Sequence, residues 1–309
     1  MSRISVVAPC YNEEDNVDEL HRRVAAVFAG FPEHELEMLF IDNASSDGTS
    51  ERLRALAARD PRVKVILNAR NFGHIRSPMH AILQAAGDAV IPMASDLQDP
   101  PEMLKAFIDG WERGYRKVVA VKPVSRDNVL AFALRKLFYS TLNRISEIPL
   151  IENFTGFGLY DRSVIDYIKG LDDPYPYFRG LVSEVGFDTL IVEFEQPRRL
   201  RGVTKNNFYT LYDIAMLGIT NHSKLPLRIA TIGGFAMSAL SLFTAFVYFV
   251  YKLVRWDEFA VGQAPLVIGL FFLFGVQMFF IGLLGEYVLA IHRHVLHRPL
   301  VVEKERINF

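Results

Sequence analysis

Three short stretches in the first hundred residues concentrate side chains that could do chemistry. They are Pro9-Cys10-Tyr11-Asn12-Glu13-Glu14, Asp42-Asn43-Ala44-Ser45-Ser46-Asp47-Gly48-Thr49 and Ala94-Ser95-Asp96-Leu97-Gln98-Asp99-Pro100-Pro101-Glu102. A carboxylate such as Asp42, placed just after an apolar run, can accept a hydrogen bond from the imide N–H of a uracil or the N1–H of a guanine. Asp96 and Gln98 are two apart, so in an extended segment both project to the same side. Oxygen ligands on a loop of that kind suit Mg²⁺ or Mn²⁺ bridging two phosphates. Each stretch also has a plainer reading. Glu14 and Asp15 complement the dipole of a helix beginning near Glu13, Asp47 and Thr49 are helix caps, and Asp99 caps a proline-started helix. A fourth concentration is basic: Arg198, Arg199, Arg201 and Lys205, joined by Lys122 and Arg126 after a fifth apolar run. It suits a phosphate, and it equally suits a solvated cationic flank.

The elements that must position these residues are legible as an alternation. Apolar runs at 4–8, 37–41, 63–67, 88–93 and 117–121 read as strands. Helical patterns at 49–58, 75–86 and 101–113 lie between them. Such alternation predicts an α/β domain with a mostly parallel, Rossmann-like sheet. Ligands of these sheets bind beyond the carboxyl ends of the strands, where the three stretches fall. No glycine-rich turn follows the first strand, so a dinucleotide fingerprint is absent. Glu13, Glu14 and Asp15 would also repel a pyrophosphate there.

Composition narrows the class. The 309 residues carry 34 Lys+Arg against 35 Asp+Glu, a balance that argues against nucleic acid as a partner. One cysteine, Cys10, excludes a disulfide framework and any cysteine-based zinc site. Half of the chain is hydrophobic, and the excess is concentrated near the C-terminus. Residues 229–251 and 259–285 contain no Asp, Glu, Lys or Arg. Each exceeds the roughly 20 residues that a helix needs to cross a bilayer. The expected organisation is therefore a domain at 1–224, two transmembrane helices within 225–292 (about 229–251 and 264–288), and a tail at 293–309.

Cations flank the hairpin at Lys224, Arg228, Arg293, Arg298, Lys304 and Arg306, while the intervening loop balances Lys252 and Arg255 with Asp257 and Glu258. The positive-inside rule then predicts a multi-pass protein of the cytoplasmic membrane with both termini cytoplasmic. The N-terminal residues are too acidic, and their apolar run too short, for a signal peptide. Gly233-Gly234 permits helix–helix contacts, so a homo-oligomer is possible. Residues 128–145 have the composition of a helix lying on the membrane surface, and 208–219 are a weaker candidate.

Together the three stretches resemble the family-2 glycosyltransferases of the GT-A fold, and most closely the polyprenyl-phosphate branch. The resemblance continues through Arg70-Asn71-Phe72-Gly73, Leu159-Tyr160-Asp161-Arg162, Arg179-Gly180-Leu181, Arg199-Leu200-Arg201-Gly202-Val203-Thr204-Lys205, Pro226-Leu227-Arg228, Leu284-Gly285-Glu286-Tyr287 and Arg298-Pro299. It implies inverting transfer of a sugar from a nucleotide-sugar, UDP-linked rather than GDP-linked, to polyprenyl (undecaprenyl) phosphate at the membrane. By the same resemblance Pro9, Tyr11, Asn12, Glu13, Asp42, Asn43, Ser95 and Asp96 hold the nucleotide. Asp96 and Gln98 hold a divalent metal, Mg²⁺ or Mn²⁺. Arg199, Thr204 and Lys205 face the acceptor phosphate or lie on the loop that closes over it; by their charge Arg201, Lys122 and Arg126 join them there, with Asp96, Arg199 and Lys205 carrying the transfer.

Two departures matter. The family's Asp-x-Asp at the metal loop has Ala94 in its first position here. The family's Gly-Asp-Phe-Arg reads Thr155-Gly156-Phe157-Gly158, so no catalytic base is carried over. Asn43 also replaces the second acid after the second strand. A lipid monophosphate needs no base, because its second pKa lies near 6 and it is mostly a dianion at neutral pH. Glu152 and Asp161 could orient the sugar, and Asp161 could equally cap a helix at Arg162. The alternatives are transfer to a hydroxyl acceptor and a catalytically silent nucleotide-sugar binder.

Overall fold

The computed structural model describes residues 1–122, 151, 153–195, 197, 225–255, 263–296 and 298–309. The expectations placed on Arg126, Glu152, Arg199, Arg201, Thr204, Lys205 and the two surface helices fall outside them.

Eight strands form one sheet: β1 (Ser2–Cys10), β2 (His34–Asp42), β3 (Val63–Asn68), β4 (Ala89–Pro92), β5 (Lys117–Val121), β6 (Phe154–Asp161), β7 (Thr189–Glu193) and β8 (Glu303–Ile307). Their order across the sheet is β7-β5-β6-β4-β1-β2-β3-β8. The β4-β1-β2-β3 half is parallel, as the alternation predicts. Two strands run the other way. β6 is antiparallel to both β4 and β5, and β8 from the C-terminal tail closes the β3 edge in antiparallel register. The pairing covers an edge that would otherwise expose unpaired backbone.

Helices cover both faces. α1 (Val17–Phe28), α2 (Thr49–Arg59) and α4 (Leu104–Glu112) lie on one side; α3 (Gly73–Gln84), α5 (Arg162–Gly170) and α6 (Phe178–Glu184) lie on the other. The strands alternate accordingly. Ile4, Val6, Met38 and Phe40 face the first layer, whereas Val7, Leu39 and Ile41 face the second. With both faces buried, the strands read as continuous apolar runs. α1 begins four residues later than its acids suggested. Asn12 takes a left-handed conformation (φ 59°), and residues 13–16 form a turn before the helix.

Two long helices follow, α7 (Leu225–Val254) and α8 (Gln263–Val295). Among the described residues one window is long and apolar enough to cross a membrane. It is Phe272–His292 in α8, with mean hydropathy 1.8 and none of it buried. The two-span hairpin expected from the sequence is thus matched by a single candidate window. Gly233 of α7 faces Phe280 of α8, where an added Cβ would lie 3.5 Å from the ring. This glycine serves contact between the two helices of one chain.

Candidate active site

The loops after β1, β2 and β4 converge at the carboxyl edge of the sheet. Adjacent strands deliver them side by side, since β1 pairs with both β2 and β4. Each loop reverses through one left-handed residue: Asn12 (φ 59°), Ala44 (φ 60°) and Leu97 (φ 61°). Asn accepts that conformation readily, whereas Ala and Leu pay on the order of 1 kcal/mol for it. Strain of this sort is held only where the surroundings over-determine the backbone.

The surroundings here are cross-loop hydrogen bonds. Asn12 N–H donates to Ser45 Oγ (2.8 Å), and Asn12 Oδ1 accepts the Ser46 N–H (2.8 Å). Glu13 N–H donates to Thr49 Oγ1 (2.9 Å). Glu14 accepts the Gly48 N–H (2.8 Å) and so supports the start of α2, not the start of its own helix. Asp47 accepts the Thr49 N–H at 3.1 Å, a structural role expected from its position. Ser95 Oγ donates to the Pro9 carbonyl, joining the β4 loop to the β1 loop.

Asp42 is 1% exposed, and its oxygens accept from the Ser45 N–H, the Ser45 hydroxyl and the Ser50 hydroxyl. It is the organising acid of its loop. Asn43 spends its side-chain amide in the other direction. Its Nδ2 donates to Asn71 Oδ1 (3.0 Å) and the Gly73 carbonyl (3.1 Å), and its Oδ1 accepts from Asn68 Nδ2 (3.2 Å) and the Phe72 N–H (2.8 Å). The Arg70-Asn71-Phe72-Gly73 segment, which carried part of the resemblance, is thereby pinned at the start of α3. Cys10 lies where the loops meet. Burial pushes its thiol well above the usual range, and Asp42, Glu13 and Asp47 add to the rise, against a hydrogen bond with Ser95. A thiol so placed is structural and not a nucleophile.

The loop after β4, expected to hold a metal, departs from one expectation. Asp96 and Gln98 do not lie on an extended segment. Leu97 turns the chain, and the Gln98 N–H closes onto Asp96 Oδ1 at 3.1 Å. Asp99 is not a helix cap either. Its Oδ2 reaches back to accept the Ala94 N–H (2.8 Å), closing residues 94–99 into a compact loop. Burial drives the Asp99 carboxyl up to about 6; the Ala94 N–H and Lys122 oppose that rise, and Asp96 adds to it. Lys122, expected to meet an anionic acceptor, therefore lies within electrostatic reach of this loop. Asp96 is 6% exposed. One carboxylate and one amide oxygen on a tight turn form a hard donor set, suited to a divalent ion that takes its other ligands from phosphates and water. Ala94 contributes none. Among the described residues, the one His/Asp/Glu trio close enough to share an ion is Glu33, His34 and Glu112. It lies at the opposite end of β2 from Asp42.

Behind the loop after β4 a pocket of about 510 Å³ opens between α3, α6 and β6. Ala94 and Asp99 line it, as do Gly156 and Phe157 of β6 and Arg179 of α6. Gly156 has φ 101°, and an added Cβ there would meet nothing closer than 3.8 Å. Gly158 is different, because a Cβ would lie 2.4 Å from the Val118 carbonyl oxygen. The close approach of β5 to β6 thus requires glycine where the family has Arg. Asp161 caps α5 through the Ser163 N–H (3.0 Å) and also accepts from Trp111 Nε1 (2.9 Å). It is therefore committed to the fold. Sequence reasoning missed the pocket-facing position of Asp99 and the cross-loop role of Glu14. Spacing holds no signal for either, since both depend on contacts between separate loops.

A family model described as glycosyl transferase family 2 matches residues 5–168. The chain belongs to glycosyltransferase family 2. Its mixed α/β sheet is the GT-A-like arrangement of that family, and the protein is a glycosyltransferase. It is 34% identical to the bactoprenol glucosyl transferase of Shigella phage SfV, over 98% of each chain. It is likewise 34% identical to the prophage bactoprenol glucosyl transferase homolog of Escherichia coli K12, again over 98% of each. Among solved structures, it resembles the mannosyltransferase PcManGT from Pyrobaculum calidifontis in complex with GDP-Man and Mn²⁺, with TM-score 0.47 and 14% identity, covering 95% of this chain and 87% of that one.

Proposed function

We propose that this glycosyltransferase moves a sugar from a nucleotide-sugar, UDP-linked, to polyprenyl phosphate at the cytoplasmic face of the membrane. The observation that carries the reading is the convergence of the Asp42 and Asp96 loops on Cys10, in a chain whose apolar α8 continues directly into the tail that completes the same sheet. Similarity to bactoprenol glucosyl transferases over nearly the whole length supports the acceptor class.

In this reading the loops after β1 and β2 receive the nucleotide. Asp96 and Gln98 hold the divalent ion, which when bound neutralises the leaving diphosphate. A phosphate oxygen of the acceptor attacks the anomeric carbon, the bond from that carbon to the diphosphate oxygen breaks, and the nucleoside diphosphate departs with the electron pair. The configuration inverts, and no proton need be removed from the dianionic acceptor. Gly156 is then compatible with turnover. The difficulty is repulsion between two anions, which Lys122 and the basic run Arg198, Arg199, Arg201 and Lys205 offset, with Arg126 and Thr204 beside the acceptor.

The proposed topology is a two-helix hairpin with both termini in the cytoplasm, supported by cations on its flanks. The test is a donor screen with purified protein and undecaprenyl phosphate, with and without Mg²⁺ or Mn²⁺, read as lipid product by mass. A polyprenyl-phosphate sugar that appears with one donor supports the proposal. Nucleotide binding with no lipid product across the panel rejects it.

A further inference from the structure

Many surface arginines of the α/β domain sit against acids, as Arg3 does with Glu35, Arg23 with Glu102 and Arg62 with Asp60. Arg70, Arg76 and Arg298 form a cluster of the opposite kind. Among the described residues none of the three pairs with a carboxylate. Arg70 Nη1 donates to the Asn71 carbonyl (3.0 Å), and Arg76 Nη2 donates to the Pro299 carbonyl. Phe72 gathers the first two, its ring centre lying 4.0 Å from the Arg70 guanidinium carbon and 5.6 Å from that of Arg76. The contact with Pro299 brings Arg298 to the same place. Burial and the charge of Arg70 press the Arg76 guanidinium below its ordinary value; Arg298 adds to that, against Tyr175. Arg76 Nε is buried with no acceptor among the described residues. Stacking on Phe72 and one tail carbonyl thus hold together cations that repel one another. A single anion would offset that repulsion. Planar guanidinium forks match the oxygens of a phosphate.

The position of the cluster says which phosphate. Arg298 is three residues beyond Val295, the end of α8, so it lies within about 11 Å of that helix end. The apolar window of α8 stops at His292. Two contacts fix the helix end and the tail to the domain. His294 Nε2 meets Asp173 Oδ1 at 3.3 Å, and His80 of α3 meets Glu303 of β8. Asp172 and Asp173 lie along the same groove as Arg298, and Asp173 is committed to His294 and the Tyr175 N–H (2.8 Å). Arg70 follows β3 whereas Lys122 follows β5. Four strands separate these two in the sheet, a span of about 24 Å. A phosphate at the cluster is therefore not the one proposed to react.

We infer that Arg70, Arg76 and Arg298 form a site for the phosphate of an anionic phospholipid headgroup in the leaflet from which α8 emerges. The inference goes beyond sugar transfer and rests on the proposed membrane attachment of α8. A headgroup held there fastens the start of α3 to the bilayer surface, beside the pocket that Ile75 and Met79 line.

The test places the full-length protein in phosphatidylcholine bilayers and measures, by electron paramagnetic resonance, its preference for spin-labelled phosphatidylglycerol over spin-labelled phosphatidylcholine. The native protein should prefer phosphatidylglycerol by about tenfold, and Arg76→Gln and Arg298→Gln should each cut that preference about fivefold. Arg298 is exposed, so its variant reports the site without disturbing packing. Arg59→Gln, remote from the cluster and paired with Asp18, should leave the preference unchanged. No preference in the native protein, or an undiminished one in both cluster variants, overturns the inference. An equal loss in Arg59→Gln assigns the preference to overall charge and also overturns it. Inorganic phosphate is added in parallel at matched ionic strength. If it displaces the labelled phosphatidylglycerol, the cluster takes soluble phosphates and the lipid assignment falls. Protein that enters no bilayer overturns the membrane attachment, and the site with it. A native protein that transfers sugar to polyprenyl phosphate without lipid preference overturns the site alone.

Discussion

Ser95 Oγ donates to the Pro9 carbonyl across 2.8 Å. The hydroxyl precedes Asp96 by one residue, and the carbonyl precedes Cys10, so this bond joins the loop proposed to hold the metal to the loop proposed to receive the nucleotide. Ser95 is 4% exposed. Its loss leaves a carbonyl without that donor and costs about 1 kcal/mol. The expected outcome for Ser95→Ala is a melting temperature lowered by a few degrees and kcat/KM lowered about tenfold through misplacement of Asp96. Sugar transfer and thermal melting check the two together. Unchanged kcat/KM would mean that the loops hold their spacing without this bond.

In the proposed metal site Asp96 and Gln98 would divide the work unequally. Asp96 brings the charge and Gln98 brings a neutral oxygen from the same turn, with Asp96 Oδ1 already closing onto the Gln98 N–H. Asp96→Ala should reduce transfer of labelled sugar to polyprenyl phosphate by about a hundredfold or more. Gln98→Ala should instead raise the Mn²⁺ concentration for half-maximal activity several-fold and leave the plateau within about threefold. Full activity in Asp96→Ala would remove this residue from the metal site.

Asn43 is best tested as a structural hub. Its side-chain amide serves four partners in four residues: the buried Asn68, then Asn71, Phe72 and Gly73. Asn43→Ala strands the Phe72 N–H and one N–H of Asn68 Nδ2, which keeps its bond to Ser77 Oγ, in a buried setting, at about 1–3 kcal/mol for each unsatisfied group. The expected loss is about 3 kcal/mol by urea unfolding. Asn71→Ala, at an exposed position, should cost about 1 kcal/mol. Equal small losses in both variants would show that water replaces the amide.

These contrasts explain how much of the molecule its sequence reveals. The parallel half of the sheet is legible because both faces are buried, and unbroken runs such as Ile4–Ala8 need no partner to be recognised. β6 and β8 are not, because their direction is set by pairing with strands distant in the chain; Glu303–Ile307 even alternates exposed and half-buried residues like an ordinary polar tail. Asp42 and Asp96 stand out as acids at strand ends. The geometry between them does not, because Leu97 carries no mark of its left-handed backbone and a two-residue spacing implies an extended loop by default. Asp99 looks like a cap before two prolines, and only the Ala94 N–H shows its true direction.

Glu37 offers a test of pH dependence away from the active site. The residue is 3% exposed, lies 2.5 Å from Lys64 Nζ, and accepts from the Ser5 hydroxyl and, at 2.8 Å, from the Ala86 N–H. Burial pushes its carboxyl upward, but Lys64, Ser5 and Ala86 together hold it below the ordinary glutamate value. A carboxylate depressed in the folded state adds stability that is fully present above the unfolded pKa of about 4.3 and disappears as pH falls through the folded value. Glu37→Gln should therefore be less stable than the native protein at pH 7, by about 1–2 kcal/mol. The gap should narrow steadily below about pH 4.5 as the native carboxylate takes up its proton. Melting temperatures of both proteins from pH 7 down to pH 3 measure it. A gap that stays constant across that range would assign the destabilisation to packing alone, and the ion pair with Lys64 would have no part in the acid limb.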